Sequence, residues 1–172
     1  SSGIGRGIAT AFAAEGARVV LIGRSIRRLE EAAEGILRRT GNPVECFPCD
    51  MTSNHDLARL FSWIGVHWKG IDILVNNSGR PKEGEFEALT DADWQAAYEL
   101  TLLSYIRMIR AASPWMRAQG WGRIVNSTSS SMKRIIPGKL LSNAFRTCVM
   151  GLSKSLVPEL AKDGILINTV GP

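Results

Sequence analysis

The chain is 172 residues long, 45% hydrophobic and 22% charged, with a net charge of +5, the size and balance of one globular domain with a core of its own. No run approaches the roughly 18 apolar residues of a membrane span, and no signal-peptide pattern is present, so a cytoplasmic protein is expected. The basic excess is scattered: Arg24, Arg27, Arg28, Arg38 and Arg39 stand among Glu30, Glu31 and Glu34, which argues against a nucleic-acid surface and gives weak support to an anionic ligand.

Ser1 to Gly7, SSGIGRG, opens into a helical pattern that Gly16 stops, and Arg18 to Gly23 reads as a buried strand. Glycines at the mouth of a helix let a ligand approach the backbone, where free N–H groups attract phosphate. A charged helix from Ser25 to about Thr40 ends at Gly41-Asn42-Pro43, and a strand at Val44 to Phe47 leads to Asp50. Cys46 and Cys49 have C-x-x-C spacing, which allows a redox pair, although two buried thiols are the favoured reading. Three cysteines do not make a disulfide framework, and His55 and His67 lack the spacing of a zinc site.

A helix from about Ser53 to Trp68 carries Leu57, Leu60, Phe61 and Ile64 on one face, and Ile71 to Val75 is a continuous apolar run, as in a central parallel strand. It ends in Asn76, Asn77, Ser78 and Gly79. Thr90 to Asp93 is a helix start with acids in its first turn. That helix is expected to reach about Arg117, with irregularity at Ser113-Pro114. The strand Arg123 to Asn126 runs into the hydroxyls of Ser127, Thr128, Ser129, Ser130 and Ser131, which suit the polarisation of a small polar group. A helix from about Leu140 carries Ala144, Cys148, Leu152, Leu156 and Leu160 as a seam, with a bend at Pro158, and Ile165 to Val170 is the last strand.

Apolar strands alternating with helices give a doubly wound parallel sheet with helices on both faces, a three-layer α/β/α domain over residues 1–172. Ligands of such sheets bind outside the carboxyl ends of the strands. Arg24, Asp50, Asn76 to Gly79, Ser127 to Ser129 and Gly171 all stand at those ends.

With these residues in place, the chain resembles the short-chain dehydrogenase/reductase family over essentially its whole length, and is most similar to members of the 3-oxoacyl-[acyl-carrier-protein] reductase type. The family's T-G-x-x-x-G-x-G is present as its second half, Ser1, Ser2, Gly3, Ile4 and Gly5. Its N-N-A-G is matched by Asn76, Asn77, Ser78 and Gly79, its I-V-N-x-S-S by Ile124 to Ser129, and its N-x-V-x-P-G by Asn168 to Pro172. The resemblance implies a Rossmann fold, here expected as a fragment without the first strand and the C-terminal segment. Since that strand is central in the family, a gap in the sheet is expected with it.

The resemblance also implies a nicotinamide dinucleotide. Relatives selective for NAD place an acid after the second strand to accept from ribose hydroxyls, whereas this chain has Arg24. A guanidinium suits a 2′-phosphate, so NADP is favoured over NAD. Asp50, followed by Met51, matches the acid that contacts adenine, Asn76 the position beside the adenosine ribose, and Gly171 and Pro172 the turn after the last strand. Relatives pair as dimers or tetramers through the two long helices, so a homodimer or homotetramer is implied.

The family's reaction couples hydride transfer to proton transfer by a Tyr, with a Lys that lowers its pKa, a Ser that orients the carbonyl and an Asn that supports a relay water. Ser129 matches the Ser; the Tyr position falls on Ser142, the Lys position on Arg146 and the Asn position on Thr101. Neither of the two tyrosines, Tyr98 and Tyr105, falls on the Tyr position or near Ser142 in sequence. A phenol titrates at about 10 and can be tuned by a cation, whereas an aliphatic hydroxyl is a much weaker acid and Arg stays charged. Ser142 retains a hydroxyl for a substrate oxygen, and Arg146 a cation for the ribose or an oxyanion. Ser130 and Lys133 also fit S-x-x-K of Ser-Lys hydrolases, in the wrong fold context.

Three functions stay open at this point. One is an NADP-linked oxidoreductase acting on a carbonyl or alcohol, a 3-oxoacyl thioester among the candidates. Another is a dinucleotide-binding module with little or no turnover. The last is a truncated product without function.

Overall fold

The structure, a computed structural model, describes residues 3–172, so Ser1 and Ser2 of the glycine motif lie outside the described residues. The chain divides into two compact units, one up to Leu60 and one from Phe61.

In the first unit, helix α1 (Gly3–Ala14) leads to strand β1 (Val20–Gly23), helix α2 (Ile26–Thr40), strand β2 (Glu45–Pro48) and the first half of helix α3 (Asn54–His67). β1 and β2 pair in parallel, Val20 opposite Glu45 and Gly23 opposite Pro48. Ala9 and Ala13 of α1 pack with Leu21 of β1 and with Leu29, Ala32 and Ile36 of α2; small side chains on α1 let the two helices approach closely. The Ser25 hydroxyl caps the start of α2, and Gly41 ends it in the left-handed region at φ 74°, a conformation glycine takes at no steric cost.

The second unit holds strands β3 (Ile73–Asn77), β4 (Gly122–Ser127) and β5 (Ile165–Val170), all parallel, with β4 in the middle. The strands thus form two ladders, β1–β2 and β3–β4–β5, in keeping with the gap expected in the sheet. Every strand follows a helix on the chain, so the doubly wound, parallel Rossmann pattern is retained. Among the described residues no helix is long and apolar enough to cross a membrane.

The long helix before β4 departs from expectation. It comprises α4 (Asp91–Tyr98), a wider π-type turn (Glu99–Leu103) and α5 (Ser104–Gln119). It runs through Pro114 without a break, and the irregularity falls instead on the turn that contains Thr101. Ser113, just before the proline, donates its hydroxyl back to the Ile109 carbonyl at 2.6 Å, whereas the carbonyl that Pro114 leaves without its helical N–H is that of Arg110. After β4 comes helix α6 (Leu140–Leu160), whose buried face is Leu141, Asn143, Arg146, Val149, Ser153 and Leu160. The expected seam is displaced from that face: Cys148 is exposed, and Ala144, Leu152 and Leu156 are half-buried.

The start of α4 is a capping box in which Thr90 and Asp93 satisfy each other's backbone N–H groups, and Lys82 Nζ donates to Asp93 Oδ2 at 2.8 Å. The Lys82 hydrogen bond first, then those from Thr90, hold the Asp93 carboxyl down at about 2. A depressed carboxyl contributes stability above its unfolded pKa of about 3.9 and loses it as pH falls through the folded value. Asp93→Asn is therefore expected to melt below wild type at pH 7, with the gap closing as pH falls from about 4 to about 2. Melting temperatures against pH check this, and a gap constant with pH would refute it.

Candidate functional site

The carboxyl ends of β3, β4 and β5 are tied together beneath their surface by a chain of buried polar side chains. Asn76 Nδ2 donates to Asn126 Oδ1 at 2.8 Å, and Asn126 Nδ2 donates to Ser153 Oγ on α6 at 2.9 Å. Thr169 Oγ1 donates to the same Ser153 oxygen at 2.8 Å. Both asparagines are wholly buried, where unmade hydrogen bonds are costly; Asn76 Oδ1 alone of their four side-chain amide atoms has no hydrogen-bond partner among the described residues. Asn76 is therefore a frame residue here, a role its motif did not reveal. Ser153 escaped the sequence reading altogether; its one signal was a small polar residue on the buried stripe of α6.

Above this frame, Ser129 follows β4 in extended backbone, and its Oγ accepts from the Ser131 N–H at 3.2 Å. Gly171 and Pro172 are brought directly beside it. The Ser130 N–H donates to the Pro172 carbonyl at 3.2 Å, and a Cβ on Gly171 would lie 2.8 Å from the Ser129 carbonyl oxygen. Close backbone approach is thus why glycine stands at 171. Thr128 adds a second tie, both its N–H and its Oγ1 donating to the Val170 carbonyl.

Arg146 is 6% exposed. Its Nη2 donates to the Gly79 carbonyl at 3.1 Å and its Nη1 to the Ser127 carbonyl at 3.4 Å, so α6 holds a cation against the ends of both β3 and β4. Ser142 is half-buried one helical turn earlier on the same face of α6. The loop before it is fastened by Asn143, which donates to the Ile136 carbonyl at 2.9 Å and accepts from the Ile136 N–H at 3.3 Å. Gly84 pairs with the same loop through its N–H to the Gly138 carbonyl. Thr101 is wholly buried, and its Oγ1 has no partner among the described residues.

Tyr105 corrects the sequence reading, which had set both tyrosines apart from the site. One turn of helix beyond Thr101, its wholly buried ring carries the phenol to the strand ends. The hydroxyl accepts from the Ser78 N–H at 3.0 Å and donates to the Ser127 carbonyl at 2.8 Å. Distance along the chain hid this, because the helix folds back antiparallel to the strands it covers. Tyr98, by contrast, packs on Phe145.

The remaining positions belong to the first unit and stand by themselves. Gly3 has φ +57° with open space around it, and Ile4 is 51% exposed at the mouth of α1, beside Gly5. Arg24 is exposed between β1 and α2; Arg27 and Arg28 follow in the first turn of α2, an end where the helix dipole favours anions over cations. Asp50 Oδ1 accepts from the N–H and hydroxyl of Thr52, which shapes the turn that includes Met51. Burial pushes both nearby thiols up, Cys49 to about 11, so neither is the ready thiolate that a redox pair uses.

The comparisons with known proteins follow this geometry. A family profile described as enoyl-(acyl carrier protein) reductase matches residues 1–172. Nodulation protein G of Rhizobium sp. (strain N33) is 35% identical over 172 residues, all of this chain and 69% of the relative. The chain is a short-chain dehydrogenase/reductase. The 3-oxoacyl-[acyl-carrier-protein] reductase of Aquifex aeolicus (strain VF5) is 31% identical, over 99% of this chain and 68% of its own. Among solved structures, the L-sorbose reductase of Gluconobacter frateurii, complexed with NADPH and L-sorbose, superposes with a TM-score of 0.94 at 33% identity. That superposition covers 99% of this chain and 65% of the reductase. A short-chain dehydrogenase from Streptomyces avermitilis gives 0.90 at 30% identity, with 62% of its length covered. The family is one of oxidoreductases, and the fold is its Rossmann fold.

Proposed function

We propose that this chain serves an NADP-linked oxidoreductase that transfers hydride between nicotinamide and a small carbonyl or alcohol substrate, 3-oxoacyl thioesters included. The observation that carries the reading is Arg146, a buried cation held where the ends of β3 and β4 meet. A guanidinium at that place keeps the family's positive charge and adds fixed donors for a ribose hydroxyl or a developing oxyanion.

In this reading Ser129 and Ser142 address the substrate oxygen. Ser142 stands where the family has its proton donor and is a weak acid there, so proton transfer falls to solvent or a bound water, and the reaction is slower. General acid catalysis typically contributes about 100- to 10,000-fold. Thr101 is too buried to touch substrate and acts on the shape of the helix instead. In the first unit Gly3, Ile4, Gly5, Asp50 and Met51 are assigned to the dinucleotide, and in the second Asn77, Ser78, Gly79, Gly171 and Pro172; Ser1 and Ser2 share the assignment by their motif alone. Arg24, reinforced by Arg27 and Arg28 at the start of α2, favours a 2′-phosphate over a free ribose. The NADPH and NADP complexes of two similar structures support that preference, while another neighbour was solved with NADH. The half-buried Ala144, Leu152 and Leu156 beside exposed Val157 support pairing with a second copy through α6.

The test follows oxidation of NADPH and of NADH with a panel of ketones and 3-oxoacyl thioesters, in the full reading frame, for wild type and Ser142→Tyr/Arg146→Lys. Turnover by wild type with NADPH preferred, raised about 100-fold or more in the double variant, is the expected result. Turnover only in the double variant would instead establish a binding module whose hydride geometry survives without its acid. Dinucleotide binding with no turnover in either would reject this substrate class.

A further inference from the structure

The roles given to the site leave Tyr105 unused, although its phenol touches the same carbonyl as Arg146. Around that carbonyl the hydrogen bonds form a closed clasp. The Ser78 N–H donates to the Tyr105 hydroxyl at 3.0 Å, and that hydroxyl donates to the Ser127 carbonyl at 2.8 Å. Arg146 Nη1 donates to Ser127 O at 3.4 Å, and Nη2 returns to Gly79 O at 3.1 Å, one residue from Ser78. Two side chains from different helices, the phenol wholly buried and the guanidinium 6% exposed, thus grip the ends of β3 and β4 from opposite partners.

A carbonyl oxygen has two lone pairs. The short phenol bond takes one, which confines the guanidinium to the other and leaves Nη1 at the longer distance. The Ser78 amide, on a half-buried residue, donates to the phenol oxygen and holds it so that its proton faces Ser127. A planar guanidinium with one edge on two carbonyls has a single orientation, and its remaining N–H groups then point in fixed directions.

We infer that Tyr105 is a positioning residue of this site: through the Ser127 carbonyl it fixes the orientation of the Arg146 guanidinium toward the bound dinucleotide. The inference rests on the dinucleotide reading above for its ligand and on the unliganded geometry for its mechanism, and the two are tested separately. It predicts that removing only the phenol oxygen frees a lone pair on Ser127, lets Nη1 slide onto it, and turns the outward N–H groups away from their target.

The experiment compares wild type, Tyr105→Phe, Arg146→Met and the double variant in the full chain. NADPH affinity is measured by fluorescence titration. Tyr105→Phe is expected to weaken it about three- to tenfold and Arg146→Met by more than that, with the double variant within about twofold of Arg146→Met alone. Such coupling is the mark of residues that act as a unit. An unchanged affinity in Tyr105→Phe, or losses that multiply in the double variant, would overturn the inference, because a tyrosine that merely fills the core lowers the melting temperature without either effect. Without ligand, the Arg146 guanidinium ¹⁵N–¹H signals and the exchange rate of the Ser78 amide are compared in wild type and Tyr105→Phe. Shifted guanidinium signals and faster Ser78 exchange are expected; unchanged signals overturn the clasp whatever the ligand does. A wild type that fails to bind NADPH but shows those shifts would reject the dinucleotide reading alone.

Discussion

Replacing Arg146 by methionine is expected to weaken NADPH binding at least tenfold while leaving the melting temperature within a few degrees of wild type. The two outcomes diverge because opposite terms govern them. In stability, the variant loses two charge-assisted hydrogen bonds, to Gly79 and Ser127, each worth about 1.5–3 kcal/mol. It also no longer has to desolvate a guanidinium whose described partners are carbonyls, and the effective penalty for burying an ion is several kcal/mol. An apolar chain of similar length therefore comes out near neutral in the fold. In binding there is no such compensation, because the cation that would meet the ribose is gone. Arg146→Ala separates the packing contribution, since it adds a cavity and is expected to lower stability as well. Isothermal titration with NADPH, paired with thermal melts, reads both quantities. A methionine variant that binds like wild type but melts far lower would make Arg146 a structural residue and remove the main support for the proposed function.

Gly164→Ala is expected to be the most damaging single-methyl change in the second unit. Gly164 ends the turn after α6 with φ +71°, and a Cβ there would overlap the carbonyl oxygen of Gly120. Gly120 is itself left-handed, at φ +69°, where it caps α5, but a Cβ on it would meet nothing within 4 Å. The two positions therefore separate two costs. Gly120→Ala is charged with left-handed strain alone, roughly 1–2 kcal/mol. Gly164→Ala carries the same strain and must also push a backbone carbonyl aside, for a total of about 3 kcal/mol or more. For a chain of this size that corresponds to a fall of roughly 6–12 °C. Paired melts decide the matter: equal losses at 120 and 164 would show that the close approach of the two turns is not a constraint.

Much of the frame was readable from residue order. β5 was expected at Ile165 to Val170 and is found there, because the apolar Ile165-Leu166-Ile167 and Val170 lie between two glycines, Gly164 and Gly171. The caps of α2 and α4 were equally plain, since Ser25, Gly41 and Thr90 act through neighbours a few residues away. The misplaced features are those decided by distant parts of the chain. An irregularity was expected at Ser113-Pro114, yet α5 runs through both residues, and the wider turn falls at residues 99–103 instead. The seam on α6 at every fourth place was a pattern of hydrophobicity alone, and of its residues only Leu160 lies on the buried face. The buried stripe follows instead the polar residues Asn143, Arg146 and Ser153, which the strand ends require. Tyr105 shows the same limit most clearly, because nothing within a few residues of it announces a partner at Ser127.

The buried polar chain through Asn76, Asn126, Ser153 and Thr169 bears on how such a site can change over generations. Asn76, Asn126 and Ser153 are each joined to the next by a single hydrogen bond, so altering one of these three takes that partner from a buried polar group, and drift among them favours matched steps. Ser142 is under no such bond: half-buried, its hydroxyl makes no hydrogen bond among the described residues. Under the proposed function, a lineage could therefore exchange the side chain at 142 in one step, and with it a strong proton donor, without breaking any hydrogen bond of that frame. The chemistry of this protein is the part most free to evolve.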